Sequence, residues 1–243
     1  MYKYLKRIID LLLAVVLLVI LFIPMVIIAI AIKLDSKGPV FFKQKRTGKN
    51  GKEFTLYKFR SMAIENDVYD FKNADKHTRV GSFIRKTSLD ELGQIINILN
   101  GTMSFIGPRP WITDYWDNMN EEQRHRCDVK PGITGLAQVM GRNDITIFDK
   151  INYDLEYVKS YSFIEDVKIV FLTVKAVFSE KGADAGKNTI KNELSELKKA
   201  NKKKVVRKRK TKVKVQTTTK NTLTIKESKK RNADKVADSL QKA

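Results

Sequence analysis

The feature that most constrains this chain is an uncharged apolar run close to its N-terminus. Residues 11–32 contain no charged side chain, and about 20 apolar residues in a helix suffice to cross the hydrocarbon core of a bilayer. Lysine and arginine residues flank the run on both sides. Positive charge beside a membrane segment favours the cytoplasmic face, so the flanks are compatible with both ends of the run staying on that face.

Three interpretations of the run differ in the fate of its two ends. A cleaved signal peptide is the least favoured, because the run exceeds the usual ~7–15 apolar residues of a signal core and the single cysteine, Cys127, gives no sign of an oxidising compartment. Pro24 lies near the middle, where it removes one backbone N–H donor and crowds the preceding turn, which predicts a bend. A kinked spanning helix and a re-entrant helix broken at Pro24 fit the composition equally well.

The positive charge of the chain is concentrated at its C-terminal end. Residues 187–243 hold 20 Lys and Arg against 5 Asp and Glu, and therefore +15 of the total net charge of +20. Such a polar segment buries too little apolar surface to fold, so we expect a disordered tail that anionic lipid attracts. The scarcity of aromatic residues in the tail disfavours nucleic acid as its partner, because base stacking needs aromatic rings.

Between the apolar run and the tail, the sequence pattern predicts a small α+β domain. Apolar segments at 40–44 and 54–59 flank a turn at 49–52, which indicates a β-hairpin. Leucine and isoleucine residues repeat at helical spacing over residues 88–99, and Gly101 stands where that helix is expected to stop. Further helices are predicted over residues 112–126, 149–160 and 163–178.

Asp90 and Glu91 are the carboxylates of greatest chemical interest, since both fall in the first turn of the predicted helix. On spacing alone the favoured role is structural, with Ser88 and Glu91 forming a capping box. The alternative is nucleophilic attack on a phosphorus atom, because the free N–H groups of a helix N-terminus attract phosphate. Attack on a diphosphate would need a divalent cation, and Mg²⁺ with few protein ligands suits that task.

Several basic residues stand in rigid or extended segments that suit phosphate binding. Arg109 lies between two prolines, Lys130 precedes a Pro-Gly pair, and Arg142 follows a glycine. Lys58 and Arg60 share one face if their segment is extended. Each residue alone is typical of a solvated surface, whereas several together indicate an anionic ligand.

Seven short motifs follow one another along the body of the chain. They are Lys6-Arg7-x-x-Asp10, Gly38-Pro39-Val40-Phe41-Phe42, Tyr57-Lys58-Phe59-Arg60-Ser61-Met62, Arg85-x-x-Ser88-Leu89-Asp90-Glu91-Leu92, Met103-Ser104-Phe105-Ile106-Gly107-Pro108-Arg109-Pro110, Val129-Lys130-Pro131-Gly132-Ile133-Thr134-Gly135-Leu136-Ala137-Gln138-Val139 and Gly141-Arg142-Asn143. With these motifs the chain resembles the bacterial sugar transferase family, the monotopic phosphoglycosyl transferases or undecaprenyl-phosphate sugar phosphotransferases. Their order and spacing are specific, although no single motif is decisive.

The resemblance implies a two-step transfer of a phospho-sugar. Asp90 would attack the sugar-bearing phosphate of a UDP-sugar, release UMP and form a covalent aspartyl phospho-sugar. A polyprenyl (undecaprenyl) phosphate would then accept the phospho-sugar, with assistance from Glu91. The resemblance also implies Mg²⁺ beside Asp90 and makes Arg109 a phosphate ligand. Together with Arg109, we expect Lys58, Lys130 and Arg142 to bind substrate phosphate.

Three positions depart from the pattern of the family. Ile23 replaces the serine that normally precedes the membrane proline, which weakens the re-entrant interpretation. Gly93 follows the carboxylate pair where the family usually has proline or a bulkier residue, and Thr102 stands in place of an acidic residue. These departures predict altered substrate choice or reduced activity.

The resemblance, together with the composition of the tail, gives the expected architecture and location of the chain. We expect an α+β, mostly helical fold with a membrane anchor at 1–36, a cytoplasmic catalytic domain with amphipathic interfacial helices at 37–180, and a basic, disordered tail at 181–243. The enzyme would lie at the cell membrane and initiate a cell-surface polysaccharide or glycoconjugate. The alternatives are a catalytically weakened scaffold of a glycan-assembly complex and a membrane-anchored nucleic-acid binder acting through the tail.

Overall fold

The computed structural model describes residues 1–63, 77–141, 145–178 and 190–202. Among these residues, those up to 197 belong to one compact unit, and 198–202 belong to a second one. Short 3-10 turns occupy Lys49–Gly51, Leu89–Gln94 and His125–Cys127. The helices are α1 (Tyr2–Asp35), α2 (Arg79–Lys86), α3 (Ile95–Leu99), α4 (Thr113–Asn118), α5 (Glu121–Arg124), α6 (Leu136–Gly141), α7 (Ile147–Lys159), α8 (Phe163–Phe178) and α9 (190–202), and the strands are β1 (Phe41–Thr47), β2 (Glu53–Phe59), β3 (Ser104–Ile106) and β4 (Gly132–Thr134).

The apolar run forms one long helix, α1, which packs along the domain by a single face. By length and composition alone, α1 is long and apolar enough to cross a membrane. Ala14 packs with residues of β2 and α3, while Ile28 and Ile32 pack with residues of β2 and α2. The predicted long apolar helix is confirmed. Helical geometry continues through Pro24, and a re-entrant path stays a prediction.

The opposite face of α1 is apolar and exposed along its whole length, and so is one face of α8. Ile23 is 69% exposed on this outer face of α1, and the neighbouring Pro24 is also exposed. In α8, Ile169 points into the core with no exposed surface. The exposed apolar residues of α8 are Phe163, Ile164, Val167, Val170, Phe171 and Val174.

The predicted β-hairpin is confirmed. Strands β1 and β2 pair antiparallel from Phe41 opposite Phe59 to Thr47 opposite Glu53. The chain reverses through Asn50 and Gly51, whose φ values of 55° and 76° lie in the left-handed region that asparagine and glycine tolerate best. The hairpin brings the end of β2 against the turn that contains the carboxylate pair.

The predicted helix over residues 88–99 is two elements, and the capping box is wrong. Residues Leu89–Gln94 are 3-10 and Ile95–Leu99 are α-helical. Ser88 has a φ of 58° and makes no side-chain cap, because left-handed backbone at this position does not fit the extended geometry of a helix N-cap. The segment stops at the predicted place, where Gly101 adopts a φ of 81°.

The segment after Lys130 and its Pro-Gly pair contains a strand that the sequence pattern did not predict. Strand β4 pairs parallel to β3 with Gly132 opposite Ser104. A Cβ at Gly132 would lie 2.2 Å from the backbone nitrogen of Gly107, so glycine permits this close approach. The predicted helix over 112–126 is interrupted at Met119, which is extended, and divides into α4, α5 and a 3-10 turn. Helices α7 and α8 lie where they were expected.

Part of the segment predicted as a disordered tail is helical. Residues 190–202 form α9, and Leu194 and Leu197 of this helix are buried against residues of α4 and α7. Apolar burial at helical spacing outweighs the basic composition here. The remaining parts of the predicted tail, 181–189 and 203–243, lie outside the described residues, as do residues 64–76.

Candidate active site

The carboxylate pair lies on the 3-10 turn that packs against the end of β2. A Cβ added at Gly93 would lie 3.0 Å from the carbonyl oxygen of Tyr57 and 3.1 Å from the Cα of Lys58. Such distances are tighter than ordinary van der Waals contact, so the turn approaches β2 this closely because residue 93 has no side chain. This approach places Lys58 beside Asp90 and Glu91. The departure at Gly93 therefore has a packing reason.

Two cations hold the carboxylate of Glu91. The Nζ of Lys58 donates to Glu91 Oε1 at 2.8 Å, and the Nη2 of Arg109 donates to the same oxygen at 3.1 Å. Lys58 Nζ lies 3.6 Å from Asp90 Oδ2. The structure thus brings together four of the predicted site residues, Asp90, Glu91, Lys58 and Arg109.

The two cations decide the protonation of Glu91. Burial acts to raise the pKa of Glu91, but Arg109 and Lys58 outweigh it and lower the pKa to about 2. In return, Glu91 raises the pKa of the Arg109 guanidinium. Glu91 is therefore ionised at neutral pH, and its Oε1 already accepts hydrogen bonds from both cations.

Asp90 differs from Glu91 in the direction of its pKa shift and in its hydrogen bonding. Burial raises the pKa of Asp90, and the charge of Glu91 adds to this, whereas Lys58 acts in the opposite direction. Among the described residues, no donor forms a hydrogen bond to its carboxylate, and 14% of the side chain is exposed. An under-coordinated carboxylate at the surface of a site keeps its lone pairs available to an electrophile.

A buried arginine, Arg126, which no sequence motif distinguishes, fixes the backbone of Arg109. The Nη2 of Arg126 donates to the carbonyl oxygen of Arg109 at 2.8 Å and pairs with Asp154 at 2.6 Å. Its guanidinium lies 3.7 Å from the ring centroid of Trp111. Arg126 is 2% exposed, and such a buried cation needs this full set of partners. No short spacing links Arg126 to its partners, so only the fold identifies it.

Arg85 is a further cation at the site that was not among the predicted site residues. Its charge lowers the pKa of Asp90, against the stronger effect of burial. The side chain is exposed, and its Nη1 lies 3.5 Å from His77 Nε2. The signal was present in the sequence, because Arg85 opens the same motif that contains Asp90.

Lys130 lies elsewhere, at the other end of the helical segment. A Cβ at Gly101 would lie 3.3 Å from Arg7 Nη2 and 3.6 Å from Lys130 Nζ. Arg7 donates to the carbonyls of Ile98 and Leu99, which end α3, whereas Asp90 lies at the start of that segment. Burial, followed by the charge of Arg7, lowers the pKa of Lys130. The structure therefore does not bring Lys130 to the carboxylate pair as we expected. Arg142 lies outside the described residues.

Thr102 also belongs to this distant end. Its hydroxyl donates to the carbonyl of Asn97 at 3.1 Å. Asn97 is fully buried and bridges to β2, accepting from the Tyr57 N–H and donating to the Thr55 carbonyl. Thr102 thus supports the turn after α3, and its replacement of an acidic residue removes no group from the carboxylate pair.

The donor groups at the site fit a weakly ligated divalent cation. In the described part of the chain, no cluster of three or more His, Cys, Asp or Glu residues could hold a metal by itself. Asp90 has unused oxygens beside Glu91. Mg²⁺ is commonly held by one or two carboxylates together with substrate phosphates and water. The site therefore suits Mg²⁺ that arrives with a phosphorylated ligand.

Comparison with known proteins identifies the family. Residues 1–180 match the family model described as bacterial sugar transferase. An uncharacterized sugar transferase, EpsL of Bacillus subtilis, is 44% identical over 180 residues, which cover 73% of this chain and 89% of the relative. The UDP-glucose:undecaprenyl-phosphate glucose-1-phosphate transferase of Escherichia coli is 43% identical over 197 residues, covering 74% of this chain and 42% of the relative.

The name of a third relative contains a different sugar from that of the Escherichia coli relative. The UDP-N-acetylgalactosamine-undecaprenyl-phosphate N-acetylgalactosaminephosphotransferase of Aeromonas hydrophila is 40% identical over 194 residues, covering 75% of this chain and 45% of the relative. The chain thus spans nearly all of the Bacillus relative and less than half of the other two. With a family match over 180 of its 243 residues, the chain belongs to the bacterial sugar transferase family, as its motifs predicted.

Proposed function

We propose that this chain transfers a sugar 1-phosphate from a UDP-sugar to a polyprenyl (undecaprenyl) phosphate, with release of UMP. The names of the Escherichia coli and Aeromonas hydrophila relatives support the two substrate classes. The observation that carries the assignment at this site is the division between its two carboxylates. Glu91 is held by Lys58 and Arg109, whereas Asp90 accepts no hydrogen bond within the described residues.

This division suits nucleophilic attack by Asp90. In the first step, an Oδ of Asp90 forms a bond to the sugar-bearing phosphorus, the bond from that phosphorus to the bridging oxygen breaks, and UMP leaves with that oxygen. In the second step, a phosphate oxygen of the lipid carrier attacks the same phosphorus and releases the Asp90 carboxylate. The product is a sugar linked to the lipid through a diphosphate, which would start a cell-surface polysaccharide or glycoconjugate.

The cations around Asp90 suit the charges of both substrates. Arg109 is 47% exposed on its side chain, so its guanidinium can reach a donor phosphate while its backbone stays fixed. Lys58 lies between the two carboxylates, and Arg85 is exposed beside Asp90. When bound, Mg²⁺ held by Asp90 and the diphosphate would neutralise negative charge on the phosphates.

The contacts of α1 support a membrane-embedded enzyme whose two helix ends lie on the same side. At the N-terminal end, Lys6 donates to Asp166 of α8. At the C-terminal end, Asp35 accepts the backbone N–H of Val80, and Arg60 donates to the carbonyl of Ser36. A spanning path would place these ends on opposite sides, although both are tied to one domain. The basic flanks of α1 support a cytoplasmic location for that domain.

A donor panel tests the function directly. Membranes or nanodiscs that contain the full chain are incubated with individual UDP-sugars, undecaprenyl phosphate and Mg²⁺, and UMP release is measured. We expect release with at least one donor, dependence on the lipid acceptor for continued turnover, and loss of release in Asp90→Asn. Asp117→Asn, an exposed Asp on α4, is the matched control. Folded protein that releases no UMP with any natural UDP-sugar would contradict the proposal.

A further inference from the structure

Helix α9 lies beyond the part of the chain that matches the family, yet its residues 190–197 belong to the compact unit that holds the active site. The family match ends at residue 180, and α9 begins at residue 190. Leu197 has no exposed surface and Leu194 is 8% exposed. Both pack in one cluster with Ile112 and Tyr115, which directly follow the loop that carries Arg109.

A buried carboxylate ties α9 to this region. Glu193 is 7% exposed. Its Oε2 accepts the hydroxyl of Tyr115 at 2.6 Å, and its Oε1 accepts Lys150 Nζ of α7 at 2.7 Å. Charge-assisted hydrogen bonds to a buried group are strong and fix geometry. Glu193 therefore holds Tyr115 and Lys150 in one arrangement.

A continuous series of contacts leads from Tyr115 to the active site. The Tyr115 ring lies 4.9 Å from the Trp111 ring, centroid to centroid. The Trp111 ring also lies beside the guanidinium of Arg126, which donates to the backbone carbonyl of Arg109. Arg109 in turn donates to Glu91. The Arg109 loop is thus packed on one side by Arg126 and supported from α9 through Tyr115 and Trp111.

We propose that α9 is a positioning element of this enzyme, with Glu193 as a positioning residue that fixes the Arg109 loop for the donor phosphate. This role rests on the proposed function, because it assumes that Arg109 binds the donor. A loop that is ordered before binding loses less conformational entropy when the ligand arrives. Loosening the loop should therefore weaken donor binding more than the chemical step.

Steady-state kinetics of the full chain test the role. In Glu193→Gln and in Tyr115→Phe, we expect the KM for the UDP-sugar to rise about fivefold while kcat changes less than about twofold, the pattern of lost ground-state binding. The double variant should be no worse than Glu193→Gln alone, since that change already weakens the tie to Tyr115 together with the tie to Lys150. Glu196→Gln, an exposed glutamate one turn along α9, should leave KM unchanged.

A stability control and an activity-independent readout separate positioning from general destabilisation. Ile169→Val weakens the core of a different cluster and should lower the melting temperature without changing KM. Hydrogen exchange over residues 109–112 should be faster in Glu193→Gln than in wild type. An unchanged KM and unchanged exchange in Glu193→Gln, with wild-type protein active, would overturn the positioning role. Absence of UMP release by wild-type protein would instead contradict the proposed function, and the exchange measurement would still test whether α9 holds the loop.

Discussion

Two aspartates of this protein, Asp166 and Asp90, both lie beside a lysine but differ in how fully their oxygens are used. Asp166 is 5% exposed and accepts from Tyr2, Lys6 and Tyr157, so it joins α1, α7 and α8. Asp90 has one ion-pair partner among the described residues, Lys58 at 3.6 Å, and no hydrogen bond there.

The difference between these aspartates separates a structural carboxylate from a reactive one. A carboxylate whose lone pairs all accept hydrogen bonds is stabilised as an anion and has little left to offer a substrate. A partly buried carboxylate without donors is a costly arrangement that folding alone does not favour. We therefore assign Asp166 to the scaffold and propose Asp90 for the chemistry.

The largest expected effect comes from Asp90→Asn. UMP release should fall at least about 10³-fold, because the amide cannot serve as the nucleophile. Since burial raises the folded-state pKa of Asp90, its ionisation costs stability at neutral pH, so the variant should unfold at higher denaturant concentration near pH 7. That gain should vanish below the unfolded pKa of about 3.8. Lower stability of the variant at neutral pH would contradict the raised pKa.

Asp166→Asn should have the converse effect. Removing this charge leaves Lys6 buried without its partner, which we expect to lower the free energy of unfolding by about 3 kcal/mol. Turnover per folded molecule should stay within about twofold of wild type. Chemical denaturation of the protein in detergent measures the first quantity, and UMP release normalised to folded protein measures the second. A large drop in kcat without loss of stability would place Asp166 in the chemistry and remove the distinction.

Lys58→Gln tests the ionisation of Asp90 through the pH dependence of kcat/KM. Lys58 acts to lower the pKa of Asp90, so its removal should raise that pKa further and move the acid limb of the kcat/KM profile to higher pH. We expect a decrease in kcat/KM of about 10²-fold near pH 7. Lys45→Gln on the neighbouring strand, where Lys45 is 70% exposed, is the control. An acid limb that stays in place would mean that Lys58 does not act on the ionisation of the attacking group.

Gly93→Ala should have the smallest effect. The added Cβ would meet Tyr57 and Lys58 at 3.0–3.2 Å, so the turn and β2 must separate by a few tenths of an ångström. Alanine gains about 1 kcal/mol of helix propensity over glycine, which offsets much of the strain in stability. The displacement of Lys58 should still lower kcat/KM by about threefold. Unchanged kinetics would show that the close approach at Gly93 is not needed to place Lys58.

Local signals in the sequence predicted the elements that depend on local chemistry. The hairpin follows from its turn at Asn50-Gly51, and α7 and α8 follow from apolar periodicity. The capping box failed because spacing does not report the left-handed backbone of Ser88. In α9, the helical spacing of Ile190, Leu194 and Leu197 was a usable signal, but the strongly basic composition around it favoured disorder.

Site residues that lie within the sequence motifs were predicted. A residue that only the tertiary fold brings to the site was missed. The motifs named Asp90, Glu91, Lys58 and Arg109, and the structure places them together. Lys130 has the same motif support as Arg109 but lies at the opposite end of the helical segment, because the distance between two loops is a property of tertiary packing. Arg126 and Asp154 are 28 residues apart along the chain, and no pattern of local sequence connects them.

Trapping the covalent intermediate tests the central claim, nucleophilic attack by Asp90, most directly. The full chain is incubated with a productive UDP-sugar and Mg²⁺ without lipid acceptor, quenched in acid and digested for mass spectrometry. A sugar-phosphate adduct on Asp90, formed with one equivalent of UMP, absent from Asp90→Asn and discharged by added undecaprenyl phosphate, is the predicted result. Turnover with acceptor that forms no adduct, or an adduct on another residue, would contradict the account.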